Sequence, residues 1–152
     1  MNQKEYRSAM SRFVTGVTVV TANGPDGPIG ITANSFASVS LDPPLVLWSI
    51  ANNSKKHLTM TSVQNYAINI LSERQKNIAL EFSNSTKAFK QTHFSIGFSG
   101  VPIIKDTITV FECERHIVYD GGDHSIILGL VKFINYNELN PLIFFNGDFG
   151  KI

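Results

Sequence analysis

The chain has 152 residues and a formal charge of +1 at pH 7, with 16% charged and 43% hydrophobic residues. This describes one globular domain spanning 1–152, able to bury about 70% of its unfolded surface, and excludes a disordered chain. It also argues against nucleic acid or an anionic membrane as partner.

In chain order, Asn2 and Glu5 form a capping pair that opens a helix. Tyr6, Met10, Phe13 and Val14 recur at helical spacing, and Gly16 is the expected stop. MNQKEYRSAM lacks the apolar core of a secretory signal, and no apolar run reaches the ~20 residues of a membrane span. Together with a single cysteine, Cys113, this points to a reducing, cytoplasmic setting. Val17–Ala22 is a β-branched run that predicts a buried strand, and the turn-rich Asn23–Pro28 joins it in a hairpin to Ile29–Phe36.

The stretch Gly30–Pro44 holds the most unusual choices. Thr32, Asn34, Ser35, Ser38 and Ser40 crowd between strongly apolar flanks. A buried hydroxyl or amide without a partner costs about 1–3 kcal/mol, so this set needs backbone turns or a polar ligand to bond. Pro43 and Pro44 are expected to stop regular pairing and aim the next strand.

Leu45–Ile50 predicts a third strand, and Ser54 a cap for a short helix through His57, Leu58 and Met60. Tyr66–Leu71 follows as a strand. Ser72 with Gln75 fits a capping box opening a helix whose apolar side is Ile78, Ala79 and Phe82. Ser83–His93 reads as loop. Ile108–Tyr119 and Ser125–Asn135 are long strands joined by a tight turn at Asp120–His124, and Leu142–Asn146 closes the chain before a last aromatic, Phe149. Trp48 and Cys113 read as core, and His93 and His116 as structural or solvent-facing.

This pattern is mainly β, with a few short helices, and predicts a closed or nearly closed antiparallel barrel. Apolar residues on both faces of Ile126–Phe133 call for a covering helix or a second subunit, hence a homodimer. No Walker loop, no G-x-G-x-x-G after a strand and no G-x-S-x-G elbow is present. The histidines at 57, 93, 116 and 124 lack metal-ligand spacing, so no metal site is expected. Two places remain for chemistry: Thr32–Ser40 with Asn52–Lys56 behind it, and the turn Gly122-Asp123-His124. The first combines hydroxyls, amides and cations, which suits a flat polar ligand bearing a phosphate.

Taken together, FVTGVTVVTA, GITANSFASVSLDPPLVL, YAINILSERQKNIALEFS and GGDHSIILGLV resemble the short-chain flavin reductases, from about Tyr6 to Phe149. The resemblance implies an FMN-binding split β-barrel, Greek-key and antiparallel. It implies that Thr32, Ala33, Asn34, Ser35, Ser38, Val39 and Ser40 hold the isoalloxazine and ribityl chain. Asn52 and Ser54-Lys55-Lys56 correspond to the phosphate element, with lysine at 56 where the family usually has threonine. Gly122, Asp123 and His124 match the element associated with NADH use, and His124 is the one side chain assigned to catalysis, through positioning of the dinucleotide. Phe149 takes the place of a common tyrosine beside the flavin, and Phe82 is a further cofactor candidate.

The activity implied is hydride transfer from NADH (or NADPH) to FMN or FAD, with reduced flavin passing to a flavin-dependent monooxygenase partner. No arginine adjoins the Gly122–His124 turn to receive a 2′-phosphate, which favours NADH. Two other readings stand beside this one. A non-catalytic flavin-binding or electron-relay protein would share the fold. A split-barrel oxidase of a small amine or phosphate substrate would want a basic cluster beyond Lys55 and Lys56.

Overall fold

A computed structural model describes residues 1–152. One strand in from the edge of its main sheet, β2 (Thr18–Gly24) carries a β-branched run buried on both faces. Val20 and Ala22 enter a core with Trp48, Ile50, Tyr66, Ile68, Cys113 and Ile127. Val19 points the other way, into a second core with Leu71, Phe82 and Leu142. Continuous apolarity rather than alternation is what a strand covered on both sides requires.

β2 pairs with β3 (Gly27–Ala33) through a two-residue turn at Pro25-Asp26. With β4 (Ala37–Leu41), β5 (Pro44–Ala51), β6 (Asn65–Ile70), β9 (Thr109–Asp120) and β10 (His124–Tyr136), they form one antiparallel sheet in the order β3-β2-β6-β9-β10-β5-β4. β3 and β4 do not pair. Even so, Ile29, Ile31 and Ala33 of β3 and Phe36 before β4 pack on the same core as Trp48 and Ile50. The sheet therefore curls around one interior and stays open at a single seam, which is the expected mainly β split barrel.

A smaller sheet, β1 (Thr15–Gly16), β11 (Leu142–Phe145) and β12 (Asp148–Lys151), lies against the second core. The β11–β12 hairpin turns through Asn146 and Gly147, both at positive φ. α3 (Lys76–Asn84) covers the same core with Ala79 and Phe82, as its spacing predicted. β7 (Phe94–Ile96) and β8 (Pro102–Ile104) form a separate ribbon. Two glycines are set by close approach. A Cβ on Gly30 would fall 2.7 Å from the Phe82 ring, and one on Gly129 would overlap the Tyr66 hydroxyl.

Several expectations need correction. α1 (Gln3–Met10) has its capping box but ends at Ser11, and Gly16 belongs to β1 instead. No α1 residue is buried, so its apolar stripe finds nothing in this chain to prolong it. Pro44 does not stop pairing. It opens β5 opposite Leu41, where a first strand residue needs no N–H for the ladder. Ser54 is not the helix cap: α2 (His57–Ser62) starts after Lys56, and the Ser54 hydroxyl accepts from the Lys56 N–H at 3.2 Å. Only half of the second capping box forms, Ser72 N–H donating to Gln75 Oε1 at 2.9 Å. The segment read as loop after Ser83 contains the end of α3 and a 3-10 turn at Ala88–Lys90. Elements of three or four residues such as β7, β8 and β12 are too short to show a period.

Candidate functional site

Three loops converge at one end of β5. The first is Asn34–Phe36, the gap between β3 and β4. Ser35 Oγ accepts from the Ser49 N–H at 2.9 Å and donates to the Ser49 carbonyl at 3.2 Å, so it takes a strand partner's place beside β5. Two residues on, about 7 Å further along the strand, Ala51 pairs with His124 at the start of β10. The third loop, Asn52–Lys56, leaves β5 at that point. The polar stretch, the Asn52–Lys56 loop and the Gly122–His124 turn are thereby brought together.

The hydroxyls of the polar stretch have mostly found protein partners. Thr32 Oγ1 donates to the Ala79 carbonyl of α3 at 2.6 Å, and Ser35 is committed to Ser49. The backbone is where donors remain. The N–H groups of Asn34, Ser35 and Phe36 make no hydrogen bond within the chain, and Ser35 and Phe36 are half-buried. Three consecutive unpaired N–H groups at a half-buried seam fit a ligand edge rich in carbonyl and ring-nitrogen acceptors. Beside them, Val17, Thr32, Ala33, Asn34, Ser83, Phe144 and Phe149 enclose a cleft of about 200 Å³. Phe149 packs edge-on to Phe144 with centroids 5.3 Å apart, giving an apolar wall. Ser38, Val39 and Ser40 lie on the edge strand β4, with Ser38 and Val39 exposed.

Two of the expected cofactor residues, Phe82 and Lys56, are engaged within the protein. Phe82 is 1% exposed and fills the space over Gly30, so its ring is part of the core. The Lys56 ammonium donates to the carbonyls of Gly30, Phe82 and Ser85 at 2.6, 3.0 and 3.0 Å. All three of its protons are used in tying β3 to the C-terminal end of α3, where a cation suits the helix dipole. Burial holds the Lys56 pKa below the usual lysine value.

Lys55 is the exposed cation of the pair. It shares a groove of about 710 Å³ with Lys87 and Lys90, walled by Phe89 and Phe94. This basic cluster escaped the sequence, because Lys87 and Lys90 lie about thirty residues on, in a segment without periodicity. Ser83, a cofactor candidate beside Phe82 at the end of α3, lines the cleft of about 200 Å³.

At the turn, Gly122 takes φ +80°, and Asp123 and Gly122 are exposed. Asp123 Oδ1 lies 2.7 Å from His124 Nδ1, and that hydrogen bond, followed by the charge of His124, holds the Asp123 carboxyl below its usual range. Asn52 Nδ2 donates to the Gly122 carbonyl at 3.0 Å and Asn52 N–H to the Asp123 carbonyl at 2.9 Å. Both polar ends of the Asn52 side chain are engaged inside the protein, so Asn52 holds the turn. No cluster of histidine, cysteine and carboxylates is placed to hold a metal ion. No helix is long and apolar enough to cross a membrane.

Residues 10–152 match the flavin reductase like domain family. The chain is 46% identical over 150 residues to FMN reductase (NADH) SmoA of Agrobacterium fabrum, covering 99% of this chain and 86% of that protein. It is 41% identical to stachydrine N-demethylase reductase subunit Stc3 of Rhizobium meliloti, covering 94% of this chain and 63% of that longer protein. Among solved structures, the NADH:FAD oxidoreductase SgcE6 of Streptomyces globisporus, in complex with NAD and FAD fragments, superposes with a TM-score of 0.94 at 35% identity. That likeness covers 99% of this chain and 93% of the other.

Proposed function

Because this chain belongs to the flavin reductase like domain family, we propose that it is an NADH-dependent flavin reductase that reduces FMN or FAD. The observation that carries this reading is the seam at Asn34–Phe36. Its three free N–H groups stand beside an apolar cleft, and Ser35 is bonded to β5 two residues before Ala51 meets His124. Flavin and nicotinamide supply the hydride chemistry themselves when bound.

The chain's part is to bind and orient. The backbone N–H groups of Asn34, Ser35 and Phe36 receive the acceptor edge of the flavin ring and favour negative charge developing there. Ala33, Phe144 and Phe149 give its apolar end a surface. Lys55, with Lys87 and Lys90 around the same groove, receives the flavin phosphate. His124, oriented by Asp123, positions the dinucleotide. The names of relatives such as Stc3 support a role as a reductase component working with a partner oxygenase. The single cysteine is the ground for placing the chain in the cytoplasm, and the exposed apolar residues of β10 are the ground for a homodimer.

Anaerobic NADH oxidation by the purified protein, with and without added FMN or FAD, tests the reading. The expected result is loss of the nicotinamide absorbance together with bleaching of the flavin, in proportion to the flavin added. Flavin that binds tightly but is bleached by neither NADH nor NADPH overturns it and leaves a flavin-binding or electron-relay protein.

A further inference from the structure

Hydrogen bonds around Asn52 fix the direction of every donor. The Gly122 carbonyl can only accept, so the Asn52 amide nitrogen faces it, at 3.0 Å. Asn52 Oδ1 then lies on the opposite side, 3.1 Å from Ser125 Oγ, and takes the one hydroxyl proton that serine owns. Ser125 Oγ also lies 2.8 Å from His57 Nε2. Only its lone pairs remain for that contact, so Nε2 carries the proton. The order is His57 Nε2–H to Ser125 Oγ, Ser125 O–H to Asn52 Oδ1, and Asn52 Nδ2–H to the Gly122 carbonyl.

This chain of bonds spans the site. His57 opens α2 directly after Lys55 and Lys56, Ser125 is the second residue of β10, and Asn52 grips the turn by two bonds, to Gly122 and to Asp123. Within the turn, Gly121 N–H donates to the His124 carbonyl at 2.9 Å and Gly122 N–H to Asp120 Oδ1 at 3.3 Å, and the Asn52 bonds tie its tip to the neighbouring loop. Gly121, Gly122 and Asp123 are exposed, and Gly122 sits at φ +80°, a conformation that costs glycine little but fixes nothing. A serine at the head of the apolar run IILGLV is also a weak strand former, and its double use as donor and acceptor accounts for it.

We propose that Asn52, Ser125 and His57 are positioning residues for the nicotinamide dinucleotide, acting through the Gly122–His124 turn without touching the ligand. Small displacements of a positioning group are costly in rate or binding, so the relay ties the nicotinamide side of the site to the loop that carries Lys55. The proposal rests on the reading that this turn meets NADH.

Ser125→Ala removes both side-chain bonds while the backbone pairing of residue 125 with Asp120 and Ile50 stays available. The expected result is a KM for NADH raised about three- to tenfold, with kcat and flavin affinity within about twofold of wild type. Ser125→Thr, which keeps the hydroxyl, returns KM toward wild type. A second readout needs no ligand: 15N shifts of the imidazole place neutral His57 in the Nε2–H tautomer in the wild-type protein, and Ser125→Ala relaxes that preference.

A Ser125→Ala protein with wild-type KM, or one losing kcat, flavin binding and KM together, overturns the positioning role. A wild-type His57 found in the Nδ1–H tautomer overturns the relay itself. Wild-type protein inert toward NADH with every flavin ends the reductase reading and this role with it, which is distinct from an active wild type with an indifferent Ser125→Ala.

Discussion

Ser35 illustrates how little a side chain's identity says about what it bonds. Its hydroxyl is polar and half-buried at a ligand-sized seam, yet both of its bonds go to Ser49. Thr32 is spent on α3 in the same way, and Lys56 on three carbonyls. The clustering of polar residues at 32–40 was legible as a need for partners. Which partners met it was not, because Ser49 and Ala79 are set by the fold. Core assignments were easier, since burial follows from apolarity: Trp48 and Cys113 are both fully buried. Burial, reinforced by the neighbouring Glu112 charge, pushes the Cys113 thiol up to about 12. At pH 8 only about one molecule in ten thousand would then carry the reactive thiolate. Native protein should resist iodoacetamide for hours and be alkylated promptly in urea, followed by mass spectrometry. Rapid labelling of the native state would contradict this.

At the level of elements, long strands with sustained β-branched content were found to within a few residues, as for β2, β6, β9 and β10. Helix ends were less legible. α1 carries apolar residues well beyond its last turn, but Tyr6, Met10, Phe13 and Val14 are all at least half exposed, so nothing fixes the chain in register there. The contact between β3 and α3 is tighter than any pattern could reveal, because it depends on what is missing. Phe82 occupies the place of a side chain at Gly30. Gly30→Ala should destabilise the protein by about 1–3 kcal/mol through overpacking, measured as a lower urea midpoint. Phe82→Leu in the same molecule should cost less than the sum of the two changes, since both act on one space. Additive costs would show that the ring yields freely.

For the whole molecule, the C-terminal half of β10 is left uncovered. Phe133, Ile134 and Tyr136 of β10 are 44%, 58% and 76% exposed, and Phe98 stacks on Phe133 in the open with centroids 5.0 Å apart. Neighbouring side chains of this size left in water favour association. Light scattering after size exclusion should give twice the 16.8 kDa chain mass, and Phe133→Glu should shift the species toward the monomer. A wild-type protein that stays monomeric at micromolar concentration would remove the homodimer from the proposal.

The sequence by itself determined the class of fold and the neighbourhood of the site. Strand-forming runs, turn residues and the motif segments are local properties, and they persist wherever the chain goes. Only tertiary structure decided which groups are free to act. It consumed the hydroxyls of Thr32 and Ser35, the protons of Lys56 and the amide of Asn52, and it gathered Lys55, Lys87 and Lys90 around one groove. A hydrogen-bonding group is a site only if the folded chain has left it without a partner, and that depends on residues distant in sequence.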